Sequence, residues 1–292
     1  MKHITHHQYR ILCDHMDVYR FMTEIYEQDW RNGVPAPFLE YALCSDWMDK
    51  SYMHRCRIWK DGERIVALVF MENPVTDAYF SLRPGYEELA EEMIAYAAEH
   101  MPNMDGKQRL ILFGGQTALL AAAEKAGYKK VWEDVDCIYD FAKPLEYQLP
   151  EGYRFADIPL DVTKVLECCW KGFGHEAEGP FDGDSEDGYA LMAAPHATFE
   201  HAVAIENEAG EYVCYAGMWW TPENHLAYME PLCTVPEHQH KGLAVAAMSE
   251  LYRRLKPLGA THMTGGTNPF YQKIGYEPVV RWTYWEKPKE NA

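Results

Sequence analysis

Basic residues, long apolar runs and secretory features are scarce or absent in this 292-residue sequence, and each absence excludes a class of protein. Lys and Arg total 27 against 45 Asp and Glu, a formal net charge of −18, which argues against a protein that coats nucleic acid or an anionic membrane surface. The longest apolar runs, Ile65–Met71 and Tyr212–Trp220, are far shorter than the ~20 residues of a membrane-spanning helix. Met1–Arg10 contains no apolar segment of a secretory signal. We therefore expect a cytoplasmic protein with neither nucleic acid nor membrane as its partner.

The eight cysteines are scattered and include no C-x-x-C pair, so we expect no metal site. Several lie inside apolar runs, as Cys214 does, and are interpreted as reduced core residues. The adjacent Cys168 and Cys169 are interpreted as two positions of one amphipathic helix rather than as a redox pair.

The sequence contains an internal repeat about half its own length. Glycines in two predicted hairpin turns, Gly62 and Gly210, are 148 positions apart, and so are Gly127 and Gly275, each of which lies in a Lys-x-Gly-Tyr segment. Two independent landmarks that share one offset indicate a duplication. Pro144–Pro150, with proline at both ends, is the predicted linker.

Each half alternates predicted strands and helices, which indicates a mixed α/β fold of two tandem domains, 1–146 and 147–292. The halves differ at one junction. From the shared Ala-Tyr pair to the next helix there are 8 positions in the first half (Ala78 to Tyr86) and 15 in the second (Ala227 to Gly242). The second half therefore carries an extra loop, Pro236–Lys241, at a helix N-terminus, where unpaired N–H groups hold anions.

The end of this loop and the start of the helix read Gln239-His240-Lys241-Gly242-Leu243-Ala244, a Q-x-x-G-x-A pattern. The pattern resembles the acetyl-CoA pyrophosphate motif of the GNAT acetyltransferases. Gly242 has no Cβ to obstruct a phosphate, and Lys241 adds positive charge. An ordinary surface helix remains the alternative interpretation of the six residues alone.

The resemblance extends to Tyr271-Gln272-Lys273-Ile274-Gly275-Tyr276, which is similar to the family's Y-x-K-x-G-F/Y segment. It implies that Tyr271 is the general acid that protonates the departing thiolate; the alternative is an aromatic side chain that only packs on the cofactor or the core. Asn268 either hydrogen-bonds the pantetheine arm or caps the helix that begins at Pro269.

Glu230 lies on the strand before the loop, near the position of a catalytic glutamate in many members of the family. The resemblance implies that it is the general base; the alternative is a partly exposed carboxylate without a catalytic role. Pro231 predicts a bulge, as expected of a splayed strand. The residues expected to bind acetyl-CoA are Leu232, Cys233, Thr234, Gln239, His240, Lys241, Gly242, Leu243, Ala244 and Asn268.

The resemblance implies two GNAT-like domains, each a mostly antiparallel twisted sheet flanked by helices, with a degenerate first copy that binds no cofactor. The expected enzyme is an acyltransferase that moves an acetyl group to a primary amine of a small molecule or peptide by direct attack. The acidic loop Trp170–Asp187 lies where the family binds its acceptor, and a cationic amine fits it, although a solvated loop is the favoured interpretation. Trp219 and Trp220 either line the acceptor pocket or belong to the core. A non-catalytic acyl-CoA sensor or assembly module, a longer acyl donor and an amino-acid acceptor remain alternatives, and the oligomeric state is open.

Overall fold

The structure, a computed structural model, describes residues 2–104 and 106–288. It divides into two compact units, unit 1 (Met1–Cys137 and Pro278–Ala292) and unit 2 (Ile138–Glu277). In the described part of the chain, no helix combines the length and the apolar character that crossing a membrane requires.

Unit 1 is a mostly antiparallel sheet with helices packed on it. Its elements in chain order are β1 (Ile4–Gln8), α1 (Ile11–Ile25), α2 (Ala36–Cys44), β2 (Arg57–Asp61), β3 (Arg64–Met71), β4 (Asp77–Leu82), α3 (Ala90–His100), β5 (Arg109–Phe113), α4 (Thr117–Lys125) and the greater part of β6 (Lys129–Asp140). The last strand of the chain, β14 (Glu277–Glu286), joins this sheet, whose strand order is β1-β2-β3-β4-β5-β14-β6. Neighbours β1 to β4 and the pair β5–β14 are antiparallel, whereas β4 and β5 are parallel.

Unit 2 contains two short sheets and the long helix of the predicted site. Its elements are β7 (Tyr153–Phe155), α5 (Val162–Gly172), α6 (Glu186–Met192), β8 (Val203–Asn207), β9 (Tyr212–Ala216), β10 (Trp219–Thr221), β11 (Leu226–Tyr228), β12 (Leu232–Thr234), α7 (Leu243–Leu255), β13 (His262–Thr264) and α8 (Pro269–Lys273). The final strand is β14 (Glu277–Glu286). One sheet has the order β12-β9-β8-β7; in the other, the end of β6 pairs with β13, followed by β11 and β10.

The mixed α/β class and the mostly antiparallel sheets agree with the sequence prediction. The division by contacts differs from the predicted boundary at residues 146 and 147, and strand pairing is the reason. The last residues of β6 pair with β13 inside unit 2, whereas β14 pairs with β5 inside unit 1 over Trp282–Glu286. The boundaries of the two sequence copies, 1–146 and 147–292, remain a prediction.

In unit 1, a side-chain amide closes the gap between β4 and β5. The two strands pair only as far as Tyr79, after which they are no longer bonded to each other directly. The Gln116 amide nitrogen donates to the Phe80 carbonyl at 2.9 Å, and the Phe113 N–H donates to the Gln116 Oε1 at 3.0 Å. Gln116 is buried, so both bonds are shielded from water. Further along β4, the Leu82 N–H donates to a carbonyl of the segment before α2.

We predict that Gln116→Ala destabilises unit 1 by about 2–4 kcal/mol, because it leaves a backbone donor and a backbone acceptor buried without partners. Urea unfolding monitored by tryptophan fluorescence measures the change. Gln28→Ala, an exposed glutamine of the same unit, is the matched control and should cost less than about 0.5 kcal/mol. Equal stability of the two variants would contradict the assignment of a closing role to Gln116.

Candidate functional site

In unit 2, the strand that precedes the extra loop is divided in two. The sequence predicts a single strand over Leu226–Thr234 with a bulge at Pro231; the structure has β11 and β12 with a break between them. β11 pairs with β13, whereas β12 pairs with β9, so the two halves belong to different sheets. The Met229 N–H donates to the Thr264 side chain at 2.7 Å, the last contact before the strands separate. A cleft opens beyond this point.

Gly217 makes this separation sterically possible. Its N–H donates to the Pro231 carbonyl at 2.8 Å, and its carbonyl accepts from the Glu230 N–H at 3.3 Å. A Cβ at Gly217 would lie 2.2 Å from the Glu230 carbonyl oxygen, a distance that no side chain can adopt. The break in the strand therefore depends on glycine at the facing position of the neighbouring chain segment.

The cleft has a volume of about 390 Å³ and gathers most of the predicted site residues. Ten of them line it: Leu232, Cys233, Thr234, Gln239, His240, Gly242, Leu243, Ala244, Asn268 and Tyr271. Glu230 and Lys241 are not among the lining residues. Four lining residues were not anticipated from the sequence: Gly172, His238, Val245 and Phe270. They lie next to predicted residues in the chain or reach the cleft from the end of α5.

The open edge of β12 presents backbone groups to the cleft. The Val235 N–H donates to the Val213 carbonyl at 3.0 Å, and the Pro231 carbonyl accepts from the Gly217 N–H. Alternate residues of the segment 231–235 therefore bond to β9 and the residue that follows it. In an antiparallel ladder, the residues between them direct their N–H and C=O groups to the opposite edge. Leu232 and Thr234 hold these positions and line the cleft. Such an edge can pair with the amide groups of an extended ligand.

The N-terminus of α7 forms one end of the cleft. Gly242 is the N-cap residue, with a φ of 82° and no side chain to cap the helix. The first N–H to bond within the helix is that of Ala246, at 3.0 Å from the Gly242 carbonyl. The preceding N–H groups, those of Leu243, Ala244 and Val245, have no helical acceptor, and the helix dipole adds positive potential there. This end of the cleft is suited to an anion.

The helix behind this terminus packs on the core through one apolar face. The sequence places Leu243, Ala247, Leu251 and Leu255 four residues apart on one face of the helix, and all four are buried. Burying each leucine contributes about 1.5–3 kcal/mol. The loop before the helix is held by the Gln239 amide, which donates to the Thr234 carbonyl at 3.2 Å.

Lys241 lies at the rim of the cleft and is held there by a tyrosine. Its ammonium donates to the Tyr153 hydroxyl at 3.2 Å, and this hydroxyl lies 2.8 Å from Nδ1 of His238. Among the described residues, no carboxylate forms an ion pair with Lys241. A cation without a counterion adds to the positive potential near α7.

Tyr271 reaches the cleft because two glycines leave room for its ring. A Cβ at Gly265 would lie 2.8 Å from the rings of both Tyr271 and Tyr276, and one at Gly266 would lie 3.3 Å from Tyr271. The two tyrosine rings are 5.2 Å apart. The Asn268 side chain accepts from the Phe270 N–H at 2.9 Å, so Asn268 caps α8, which was one of its two predicted roles.

Glu230 is half-buried at the break between β11 and β12. A hydrogen bond to Cys233 and burial raise the pKa of the Cys169 thiol, and the negative charge of Glu230 adds to this effect. The carboxylate of Glu230 is therefore within electrostatic reach of α5. This position places an acid or base near the break, beside the cleft rather than in its lining.

Three thiols meet where α5 packs on β12. The Cys233 sulfur lies 3.9 Å from the sulfurs of both Cys168 and Cys169, and all three are free thiols. Cys168 and Cys169 both belong to α5, as the sequence predicts. Gly172 permits the close approach, because its Cβ would lie 2.8 Å from that of Cys233. These contacts fix the position of β12 at the cleft.

The acidic segment after α5 is solvent-exposed, which agrees with the favoured interpretation from the sequence. Asp182 and Asp184 accept backbone N–H groups two residues further along, so they shape turns of the segment itself. The Trp170 indole donates to the Gly179 carbonyl at 3.1 Å. Trp219 is buried and Trp220 is partly buried, as expected of strand aromatics.

Comparison with known proteins places this site in a class. Residues 162–276 match the family model described as the acetyltransferase (GNAT) family. No match was found among proteins of curated function. The described cleft and all twelve predicted site residues lie within the matched range. Unit 2 therefore carries the domain of an acyltransferase.

Solved structures show that the fold of the whole chain is also shared. A tandem GNAT protein from the clavulanic acid biosynthesis pathway, solved without AcCoA, is 14% identical, with a TM-score of 0.60 over 99% of this chain and 100% of that one. A GCN5-related N-acetyltransferase from Sphaerobacter thermophilus is 13% identical, with a TM-score of 0.60 over 99% and 98%. A GNAT-family acetyltransferase from Colwellia psychrerythraea is 10% identical, with a TM-score of 0.61 over 98% and 100%. The family match thus covers residues 162–276, and the chain as a whole shares the fold of these GNAT structures, one of which is a tandem protein.

His262 on β13 forms part of the framework of unit 2. It is 2% exposed, and its Nδ1 lies 2.9 Å from the Thr261 hydroxyl. Burial lowers the pKa of His262 to about 4, and the positive charge of nearby His225 adds to this effect. The imidazole is therefore neutral in the folded protein at pH 7.

The depressed pKa of His262 predicts an acid-sensitive contribution to stability. The unfolded chain takes up this proton near pH 6.5 and the folded one near pH 4, so stability is lost as the pH falls through this interval. Between pH 7.5 and pH 5.0 the loss is about 2 kcal/mol. Urea unfolding of His262→Leu should lack this part of the pH dependence. His54→Leu, an exposed histidine, should keep it, and an unchanged pH dependence in His262→Leu would contradict the assignment.

Proposed function

We propose that unit 2 catalyses the transfer of an acetyl group from acetyl-CoA to a primary amine of a small molecule or peptide. The observation that carries this proposal is the convergence on one cleft of three features that acetyl-CoA requires. These are an open strand edge at Leu232 and Thr234, an uncapped helix N-terminus at Gly242, and a tyrosine hydroxyl at Tyr271. The strand edge suits the pantetheine amides, the helix N-terminus suits the pyrophosphate, and the Tyr271 hydroxyl suits the sulfur.

Acetyl-CoA supplies a thioester, an acyl group already activated for attack by an amine. The residues of this chain supply binding and proton transfer. The α7 N–H groups and Lys241 stabilise the pyrophosphate charge, and the outward N–H groups of β12 donate to carbonyl oxygens of the ligand. Glu230, directly or through a water molecule, accepts a proton from the ammonium, and the free amine then forms the C–N bond. As the C–S bond breaks, Tyr271 protonates the departing thiolate, and the second proton that the amine nitrogen loses restores the tyrosine.

Unit 1 is proposed to be the copy that binds no cofactor. The gap between β4 and β5 is bridged by Gln116, and the turn after β4 contains no loop comparable to Pro236–Lys241. The amine acceptor is proposed to be cationic, which the formal charge of −18 and the exposed acidic segment after α5 support.

The cofactor site is tested by calorimetric titration of acetyl-CoA into the wild type and Gly242→Asp. The substitution adds a negative charge at the anion-binding terminus, so the affinity should fall at least about tenfold, by 1.4 kcal/mol or more. Gly127→Asp introduces the same residue at a similar φ, 87° against 82°, in open space of unit 1, and should bind as the wild type does. An absence of binding to the wild type would reject the proposal.

The chemical roles are tested by Glu230→Gln and Tyr271→Phe, each of which removes one proton-transfer group at nearly constant shape. Release of CoA thiol is measured with a panel of primary amines. We expect kcat to fall about 10²- to 10⁴-fold in each variant, with acetyl-CoA affinity within about twofold of the wild type.

Glu223→Gln, an exposed carboxylate in the loop between β10 and β11, is the control and should retain activity. Unchanged kcat in both site variants would exclude these roles. Acetyl-CoA binding without turnover of any amine would favour the alternative of an acyl-CoA sensor, and a preference for a longer acyl donor would revise the acyl group.

A further inference from the structure

The segment between β6 and β7 lies along α7 and is fastened to unit 2 by hydrogen bonds. The Tyr139 hydroxyl donates to the Pro144 carbonyl at 2.8 Å. The Ser249 hydroxyl donates to the Leu145 carbonyl at 2.9 Å and accepts from the Tyr147 N–H at 3.1 Å. Leu145 is buried. A segment that the sequence identifies only as a linker is thus a fixed part of the wall beside α7.

This attachment places the Tyr147 side chain directly at the N-terminus of α7. A Cβ at Gly242 would lie 2.2 Å from the Tyr147 hydroxyl oxygen and 2.7 Å from Cζ. The side of Gly242 that lacks a Cβ therefore faces this hydroxyl. Gly242 has no side chain to cap the helix. The Tyr147 hydroxyl oxygen is the atom nearest to the position where its Cβ would be.

The Tyr147 hydroxyl forms no hydrogen bond in the described part of the chain. Tyr147 as a whole is 47% exposed, and it lies beside Gly242, one of the residues that line the cleft. A phenol can donate a hydrogen bond to a phosphoryl oxygen, in addition to the backbone N–H groups of a helix terminus. Gln239, His240 and Lys241 remain exposed beside it, so the ring leaves the loop open.

We propose that Tyr147 binds the pyrophosphate of CoA, its hydroxyl donating a hydrogen bond to a phosphoryl oxygen at the α7 N-terminus. The inference rests on the proposed function, since it assumes that CoA occupies the cleft. It extends the cofactor site to the linker, which lies outside the range 162–276 that the family model matches. Ser249 is then a positioning residue, because it holds the backbone on both sides of Glu146.

The test compares two ligands and three substitutions, Tyr147→Phe, Tyr147→Ala and Ser249→Ala. CoA carries the pyrophosphate, whereas pantetheine lacks the pyrophosphate and the nucleotide; each is titrated to saturation of the wild type. Tyr147→Phe removes only the hydroxyl, and Tyr147→Ala removes the whole ring. Tyr189→Phe, a tyrosine of α6 that is 54% exposed, is the matched control. Thermal unfolding without ligand verifies that all variants are folded.

We expect Tyr147→Phe to weaken CoA binding about five- to twentyfold, the effect of one hydrogen bond to a charged group. Tyr147→Ala should weaken it at least as much, Ser249→Ala should weaken it less, and Tyr189→Phe should leave it unchanged. Pantetheine should bind Tyr147→Phe within about twofold of its wild-type affinity, because the contact that is lost lies on the pyrophosphate.

Three results would overturn the inference while leaving the proposed function intact. They are wild-type CoA affinity in Tyr147→Phe, an equal loss for CoA and pantetheine, and tighter CoA binding in Tyr147→Ala. The last would show that the ring covers the terminus instead of contributing to it. An absence of CoA binding to the wild type would reject the proposed function and this inference together.

Discussion

The break between β11 and β12 is the constraint on which the candidate site depends. A continuous strand would satisfy its N–H and C=O groups on both edges, leaving nothing for a ligand. Because β11 pairs with β13 while β12 pairs with β9, no strand of the described residues pairs with the other edge of β12. Gly217 permits the break, and the thiol contacts of Cys233 hold β12 against α5. The cleft is therefore a consequence of strand pairing more than of any single polar side chain.

Unit 1 shows how a gap between two strands can be closed by a side chain of the protein. β4 and β5 also pair over only three residues, yet the polar groups beyond are bonded to Gln116. Burying such groups without partners would cost about 1–3 kcal/mol each, so a strand gap must be filled either by protein or by water and ligand. Unit 1 closes its gap with Gln116, whereas among the described residues the outer edge of β12 in unit 2 pairs with no strand.

The sequence predicts the regular elements well and the long-range contacts poorly. The sequence predicts strands over Arg109–Phe113, Lys129–Asp140, Tyr153–Phe155 and Glu277–Glu286, and β5, β6, β7 and β14 have these bounds, because turn residues and apolar patterns mark them locally. For residues 1–54, which form β1, α1 and α2, the sequence analysis gives no helix or strand, although Val18, Met22 and Ile25 repeat at helical spacing.

Most of the candidate cleft, but not its rim, could be predicted from local motifs. Ten of the twelve predicted residues line it, because a strand, a loop and a helix terminus that are contiguous in the chain remain close in space. The position of Tyr147 beside Gly242 could not be predicted in this way, because it depends on a bond between Tyr147 and Ser249, 102 positions apart in the chain. No local pattern specifies such a contact.

Because the net charge is −18, the binding of an anionic ligand would depend on the hydrogen-bond donors close to the cleft. A strongly acidic protein repels a phosphorylated ligand at long range, but at physiological ionic strength this repulsion is screened beyond about 8 Å. Within that distance the ligand meets the α7 terminus and Lys241, where no carboxylate forms an ion pair among the described residues. Binding of the proposed anion would therefore be governed by a few nearby donors. Screening acts equally on a cation, so the proposed cationic acceptor would likewise depend on carboxylates within the same short distance of its own site.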